Sequence, residues 1–269
     1  MIEQAFRFEG ADVGRLCLPT PAAGGTRRTG VVWLNAGNIR RTGPFRLHVN
    51  AARRFADSGF ATLRVDQPGI GDHLATARQH PNAVAGAMFD QFHAATGCDR
   101  FVVGGICSAA DFAWRLALDD PRIAGLLLLD PLARKTAKGF RRGQLQMIWH
   151  RGPREWLGIL KRRFGRGSVT QGATTEQLRD WPSHGAEAAQ LETLVSRQVQ
   201  LFVLYTGGAA SYFTHPQQFH AGFGPSARSP QVAFHHWREC DHLFFRPSDR
   251  ERLIARLDEW LRERFGATP

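Results

Sequence analysis

The stretch DRFVVGGICSAADFAWRLAL, residues 99–118, combines the signals of a strand, a sharp turn and a helix. Its run RFVV is apolar and partly β-branched, which is typical of a buried strand. A glycine pair follows, and the segment AADFAWRLAL then has apolar residues at helical spacing, which predicts a turn and a helix. Cys107 lies at the centre of this turn, next to Ser108.

The small residues around the turn identify a candidate nucleophile. In a strand–turn–helix elbow that exposes a nucleophile, strand and helix approach closely, so the residues two before and two after it must be small. Gly105 and Ala109 meet this requirement for Cys107, whereas Ile106 would crowd the turn if Ser108 were the nucleophile. The start of the helix also favours the reactive thiolate. We predict that Cys107 is the nucleophile; the alternative is an inert, buried cysteine in a turn of this shape.

Strand-like and helix-like segments alternate along most of the chain. The strand-like runs GVVWLN, FATLRV, GLLLLD and QLFVLY are apolar throughout, and helical patterns separate the first three from one another. Such strands predict an α/β fold with a mostly parallel central sheet and helices on both faces. The alternation breaks between residues 133 and 196. We therefore predict a single domain over residues 1–269 with a helical lid, 133–196, inserted at the carboxyl end of a strand, where ligands bind in such sheets.

Two more residues complete a predicted catalytic set. His242, in WRECDHLFF, follows the last strand-like run and is the candidate base, whereas His235 and His236 lie within that run. Asp130 ends the run GLLLLD one strand beyond the nucleophile and is the candidate acid that orients the imidazole. Asp241 ranks lower because it would reach the ring of its neighbour with difficulty. The alternatives are an ordinary loop histidine and a carboxylate that only caps a strand end.

Backbone N–H groups would stabilise the oxyanion that forms when an acyl carbonyl is attacked. One donor is the N–H of Ser108, the residue after the nucleophile. The second is expected in the loop after GVVWLN, within Ala36, Gly37 and Asn38, where small residues let the backbone approach a substrate.

Four stretches resemble the α/β-hydrolase superfamily: GICSAAD, RRTGPFRLHVNAARRFADSGF, RVDQPGIGD and CDHLFF. The chain is most similar to bacterial hydrolases associated with exopolysaccharide or exosortase gene clusters, whose elbows read like G-L-C-S-G-A. This resemblance implies that Cys107 is the nucleophile and His242 the base. Such proteins usually carry the acid in a G-D-x-G loop after the penultimate strand, where this chain has YTGGAASYF. Either Asp130 has taken that role, or the site is a weakened dyad.

Composition narrows the class of protein. The chain has 269 residues, of which 43% are hydrophobic, enough for one α/β domain. No apolar run approaches the roughly 20 residues of a membrane-spanning helix, and the first residues lack a secretory-signal pattern, so we expect a cytoplasmic protein. The four cysteines and the scattered histidines form no disulfide or metal-binding pattern. We predict free thiols, no metal and no cofactor; a redox pair of Cys107 and Cys240 stays open.

The net charge of +11 is concentrated in the predicted lid. Residues 134–166 contain eight arginines and three lysines against one acid, Glu155, and apolar residues at helical spacing predict two amphipathic basic helices there. A solvated surface over an acyl pocket is the simplest interpretation. Acidic partners are the alternative: an acyl carrier protein or coenzyme A, an anionic membrane surface, or an anionic polysaccharide. No nucleic-acid motif accompanies the charge, so nucleic acid ranks last.

These features predict an acyl hydrolase or acyltransferase of the thioesterase type. Exchange of a thioester donor for an acyl-cysteine is nearly balanced in energy, so a cysteine nucleophile suits a carrier-bound or coenzyme A thioester. A carboxylic ester hydrolase is the first alternative. An inactive α/β-hydrolase fold that serves as a binding or assembly partner is the second.

Overall fold

The computed structural model describes residues 1–20, 27–74, 80–131, 133 and 185–266 of the chain. The strands of its sheet are β1 (Ile2–Phe8), β2 (Ala11–Leu18), β3 (Thr29–Trp33), β4 (Thr62–Val65), β5 (Arg100–Ile106), β6 (Ile123–Leu129), β7 (Gln200–Thr206) and β8 (Val232–Trp237). The α-helices in these ranges are α1 (Leu47–Asp57), α2 (Pro81–Thr96), α3 (Ser108–Asp119), α4 (Ala186–Ser196), α5 (Gln217–Phe223) and α6 (Pro247–Phe265).

The eight strands lie side by side in the order β1-β2-β4-β3-β5-β6-β7-β8. The hairpin of β1 and β2 is antiparallel and joins β4 in antiparallel orientation. From β4 to β8 every neighbouring pair is parallel. The predicted mostly parallel sheet is therefore confirmed. Since these six strands run the same way, the loops that follow them gather at one edge, called the carboxyl edge below.

Helices cover both faces of the sheet, as predicted. On one face Trp33 packs with Phe55 of α1 and with Leu253 and Trp260 of α6 in a single buried cluster. On the other face Phe89 of α2 belongs to a larger cluster that also includes residues of α3 and α4. Burial on both faces explains why the parallel strands are apolar throughout.

The carboxyl-terminal end of the predicted lid, 133–196, forms helix α4 and packs on the main body of the domain. Leu191 and Leu194 are fully buried, and Gln190 accepts a hydrogen bond of 2.7 Å from the indole N–H of Trp114 on α3. The two predicted basic helices fall in residues 134–184, outside the described residues. The lid therefore stays a prediction.

Within the described ranges, no helix is both long enough and apolar enough to cross a membrane.

Candidate active site

The turn between β5 and α3 forces Cys107 into an unusual backbone conformation. Its φ is 58° and its ψ is −124°, a region that non-glycine residues rarely occupy and that clusters at functional sites. The side chain is partly exposed, whereas the other three cysteines are buried, and all four are free thiols. The next residue, Ser108, is the first residue of α3. Cys107 therefore lies at the tip of a sharp elbow, as the sequence predicts.

The small residues flanking the elbow are required by its geometry. A Cβ added to Gly105 would lie 2.5 Å from the Cβ of Ala109 and 2.8 Å from the carbonyl oxygen of Leu34. Both distances are shorter than side-chain contacts allow, so strand β5 and helix α3 meet with no room for a larger residue. The steric argument that selected Cys107 over Ser108 agrees with this packing.

The imidazole of His242 joins the predicted acid to the predicted nucleophile. It lies in the loop after β8, and its Nδ1 is 2.7 Å from Oδ2 of Asp130. The ring also forms a hydrogen bond with the thiol of Cys107. The hydrogen bond with Asp130, and then that with Cys107, raises the pKa of His242 to about 9, although burial acts in the opposite direction. The structure thus brings together the three residues predicted as a catalytic set.

The carboxylate of Asp130 is fully buried and has several hydrogen-bond partners. Its Oδ1 accepts a hydrogen bond of 2.6 Å from the backbone N–H of Thr206, and its Oδ2 accepts one of 2.7 Å from the Thr206 hydroxyl. The phenol of Tyr212 donates to the carbonyl oxygen of Asp130 at 3.0 Å. These donors replace the hydration that the buried carboxylate loses, and they also aim it at His242.

The segment YTGG, which lacks the acid expected from the resemblance, has a supporting role instead. Its Thr206 binds Asp130, and its Gly208 lies against the histidine, because an added Cβ would overlap the backbone nitrogen of His242. The N–H of Gly208 also donates to the Thr206 hydroxyl at 3.1 Å. Sequence reasoning missed Thr206, Gly208 and Tyr212. The available signal was the position of T-G-G directly after a strand that ends at the carboxyl edge.

The loop predicted to supply the second oxyanion donor lies over the start of α3. The backbone N–H of Gly37 donates to the hydroxyl of Ser108 at 3.1 Å. This contact engages the Gly37 N–H and fixes the Ser108 hydroxyl against the loop. Ala36 and Asn38 flank Gly37 and remain the candidates for the second donor. The N–H groups in the first turn of α3 complete the predicted oxyanion region.

The lower-ranked candidates have other contacts. Asp241 accepts hydrogen bonds of 2.9 Å from the backbone N–H groups of Leu243 and Phe245, so it caps the loop that contains His242. His235 and His236 lie in β8, and burial lowers the pKa of both rings. None of these three side chains takes the position that Asp130 and His242 occupy.

Neither a protein-family model nor any curated protein sequence matches this chain. Solved structures do match it over nearly its whole length. An esterase from Pyrococcus furiosus is 13% identical, with 98% of this chain and 90% of that chain covered and a TM-score of 0.60. The fold is that of the α/β hydrolases.

Two further structures with the α/β-hydrolase fold give the same result. One is an α/β serine hydrolase without a lid from Xanthomonas campestris, at 14% identity, 95% and 90% coverage of this and that chain, and a TM-score of 0.56. The other is a soluble variant of monoglyceride lipase from Saccharomyces cerevisiae, at 13% identity, 97% and 95% coverage, and a TM-score of 0.56. At such identities the likeness establishes the fold and leaves the reaction to be argued from the residues.

A small apolar cavity lies between α2 and strands β3 and β4. It is lined by Leu34, Pro68, Met88 and Phe112 and has a volume of about 20 Å³, room for about one water molecule. An acyl chain would need further space. The described residues also contain no group of histidine, cysteine and acidic side chains arranged to hold a metal ion.

Proposed function

We propose that the protein is an acyl hydrolase or acyltransferase of the thioesterase type that forms a covalent acyl intermediate on Cys107. The observation that carries this proposal is the chain of contacts from Asp130 through His242 to a cysteine on a positive-φ elbow. A nucleophile in hydrogen-bond contact with a base, and a base oriented by a third group, is the arrangement that nucleophilic catalysis requires.

The raised pKa of His242 favours a charged resting state. An imidazolium beside the sulfur, held by the buried Asp130 carboxylate, stabilises Cys107 as a thiolate. The thiolate attacks the acyl carbonyl, and a C–S bond forms while the backbone donors near Ser108 and Asn38 hold the oxyanion. As the tetrahedral intermediate collapses, the bond to the leaving group breaks and the leaving thiolate or alkoxide takes the proton of His242.

The second half of the reaction releases the acyl group. Neutral His242 removes a proton from water or from an acceptor hydroxyl or amine, which attacks the acyl carbonyl. The C–S bond to Cys107 breaks, and the thiolate–imidazolium pair is restored. Water as the attacking group gives hydrolysis, and an alcohol or amine gives transfer.

A thioester donor suits this nucleophile better than an ordinary ester. Attack on a thioester replaces one C–S bond with another, so formation of the acyl-cysteine is nearly balanced in free energy. Attack on a carboxylic ester must expel a more basic alkoxide. A carboxylic ester is therefore the alternative substrate class, and the ratio of the two rates distinguishes them.

The charge of residues 134–166 favours an acidic carrier of the acyl group. An acyl carrier protein or coenzyme A is the preferred partner, with an anionic membrane surface as a second. An anionic polysaccharide is the third acidic partner that this charge could bind. Four free thiols would persist in a reducing compartment, which supports a place in the cytoplasm.

Intact-mass spectrometry tests the proposal. The native protein, Cys107→Ala and Ser108→Ala are each incubated with an acyl thioester and with the ethyl ester of the same acid, whose alkoxide is a more basic leaving group than a thiolate. We expect an acyl adduct on the native protein and on Ser108→Ala, and none on Cys107→Ala. Release of the free acid then indicates hydrolysis. Formation of an acylated alcohol or amine, when such an acceptor is added, indicates transfer.

Two results would contradict the proposal. An adduct that survives Cys107→Ala and disappears in Ser108→Ala would make the serine the nucleophile. A native protein that forms no adduct and releases no acid with any tested acyl donor would support an inactive fold that acts as a binding partner.

A further inference from the structure

A second pocket, which runs from the carboxyl edge along α1 and the outer strands, is lined mainly by arginines. It has a volume of about 270 Å³, and its lining includes Arg15, Arg40, Arg41, Arg46, Arg53 and Arg64 together with Glu3 and Asp72. Asp12 and Asp66 pair with two of these arginines from just outside the lining, so six guanidinium groups face four carboxylates and an excess of two positive charges remains. None of these residues belongs to the candidate catalytic set. The pocket is called the arginine pocket below.

One end of the arginine pocket lies in the loop that contacts the elbow. Arg40 to Arg46 belong to the loop between β3 and α1, which begins with the predicted oxyanion residues. Gly37 in this loop contacts Ser108, and Arg40 follows three residues later, within roughly 11 Å of Gly37 along the chain. Asp72 lies in the loop after β4, at the same edge. A single extended ligand could therefore reach both sites.

The acids in the lining are too few to neutralise its arginines. Glu3 is shared by Arg53, at 2.9 Å, and by Arg64. Asp72 is likewise shared by Arg40 and by Arg41, the latter at 2.8 Å. Each of these two carboxylates thus serves two guanidinium groups, while Arg15 pairs with Asp12 and Arg41 also pairs with Asp66. The sharing of Glu3 and Asp72 leaves donors that can bind an added anion.

Two of the arginines have hydrogen-bond donors or charge that no described residue satisfies. Arg64 is only 2% exposed, and its Nε has no hydrogen-bond partner among the described residues. A buried donor without an acceptor costs free energy, which an anion in the pocket would offset. Arg46 forms no ion pair with any described carboxylate, and its φ of 63° is in the left-handed region. Such strain in a non-glycine residue is typical of functional positions.

We propose that the arginine pocket binds a phosphate ester or diphosphate group. Planar guanidinium groups match the oxygens of phosphate in paired hydrogen bonds, and an excess of two positive charges suits the two negative charges of a phosphate monoester or of a diphosphate bridge. The volume is below the range of pockets for whole drug-sized ligands, so it fits a charged end of a molecule rather than all of it.

The identity of the ligand rests on the proposed function, whereas phosphate binding by the arginine pocket does not. Coenzyme A carries an acyl thioester at one end and phosphate groups at the other. With the thioester at Cys107 and a phosphate in the arginine pocket, one donor would span the two sites. By binding the phosphate, the arginine pocket would favour an acyl group carried on coenzyme A over a simple ester.

Calorimetric titration with pyrophosphate at constant ionic strength tests the pocket alone. The test variant is Arg46→Ala combined with Arg53→Ala, which leaves Arg64 paired with Glu3. The matched control is Arg100→Ala, because Arg100 is exposed at the amino end of β5, at the opposite edge of the sheet. We expect one saturable site in the native protein, a Kd raised about tenfold for each guanidinium removed, and no change in the control.

The titration has two outcomes that would overturn the proposal. One is the absence of saturable pyrophosphate binding to the native protein. The other is an equal loss of affinity in Arg100→Ala, which would mean that general positive charge binds the anion. Should the double variant fail to fold, Arg46→Ala alone gives the same test, because it breaks no ion pair with a described residue.

Acylation of Cys107 tests whether the phosphate belongs to the acyl donor. The same acyl group is presented on coenzyme A and on N-acetylcysteamine, which has no phosphate. We expect the double variant to raise the KM for acyl-coenzyme A by tenfold or more and to leave the reaction with the phosphate-free thioester unchanged. Equal effects on both donors, or on neither, would overturn the link.

The two proposals fail separately. Pyrophosphate binding should persist in Cys107→Ala, since that residue lies outside the arginine pocket. If both thioesters fail to acylate the native protein while pyrophosphate binds, the proposed function is wrong and the pocket stands. If acylation proceeds and pyrophosphate does not bind, the pocket is wrong and the proposed function stands.

Discussion

The elbow at Cys107 and the support of His242 are built in opposite ways. The elbow is made by consecutive residues, 104–109, whose sizes must fit where β5 meets α3. The support is assembled at the ends of three different strands: Asp130 follows β6, Thr206 ends β7, 76 positions later, and His242 follows β8, 112 positions after Asp130. The first region depends on steric fit and the second on hydrogen bonds and charge. Each therefore has its own characteristic mutation.

The largest effect is expected at the acid. Asp130→Asn should lower the rate of Cys107 acylation roughly 10³- to 10⁴-fold, because a neutral amide does not stabilise the imidazolium and can hold the wrong tautomer. The measurement is the rate of adduct formation by intact-mass spectrometry. Asp241→Asn is the matched control, since that carboxylate only caps the loop. A similar loss in both variants would show that Asp130 has been wrongly assigned.

The elbow should be broken by a single methyl group. Gly105→Ala should lower the free energy of unfolding by about 1–3 kcal/mol, because the new Cβ meets Ala109 and the Leu34 carbonyl. Gly86→Ala in α2 is the control, as its Cβ would meet nothing within 4 Å. The control should gain about 0.5–1 kcal/mol. Urea unfolding measures both, and a Gly105→Ala protein as stable as the native one would refute the tight-elbow argument.

A smaller loss of rate is expected from the second support of the acid. Thr206→Val keeps the shape of the side chain but removes the hydroxyl that donates to Asp130. The loss of one hydrogen bond to a charged group, about 1.5 kcal/mol, should slow acylation about tenfold. Thr62→Val is the matched control. It removes an equally buried hydroxyl in β4, away from the site, where Thr62 donates to the carbonyl oxygen of Phe60. If both variants slow acylation equally, general packing rather than the Asp130 contact is responsible.

The smallest effect is a pH dependence of stability. The pKa of His242 in the folded protein, about 9, is above its ordinary value of 6.5. Protonated His242 therefore stabilises the fold fully below pH 6.5, and this contribution disappears as pH rises through about 9. The difference in unfolding free energy between native protein and His242→Gln should shrink over that range. Urea titrations at pH 6, 7.5 and 9.5 measure it; a difference that grows with pH would contradict the Asp130–His242 contact.

The sequence could predict the parts of the site that depend on residue size within a short segment or on a position at the end of a parallel strand. Small residues around Cys107 predicted the position of the elbow and its candidate nucleophile, and strand ends predicted Asp130 and His242 as neighbours at one edge. Thr206 and Gly208 follow a strand at the same edge, but no rule singled them out, because their roles depend on where Asp130 and His242 point. Within 133–196, helix α4 was predicted as lid, yet its burial against α3 is a matter of packing that spacing alone does not reveal.

By itself, the sequence determined the class of fold, the elbow and the three residues that meet at the candidate site. It could do so because apolar periodicity and residue size are local properties, and because parallel strands must end at one edge. Only the tertiary structure decided which groups hold Asp130, and only it gathered arginines from Arg15 to Arg64 into one pocket. These arrangements arise from the register of strands and the paths of loops, so residues far apart in the chain become neighbours without any mark in their local sequence.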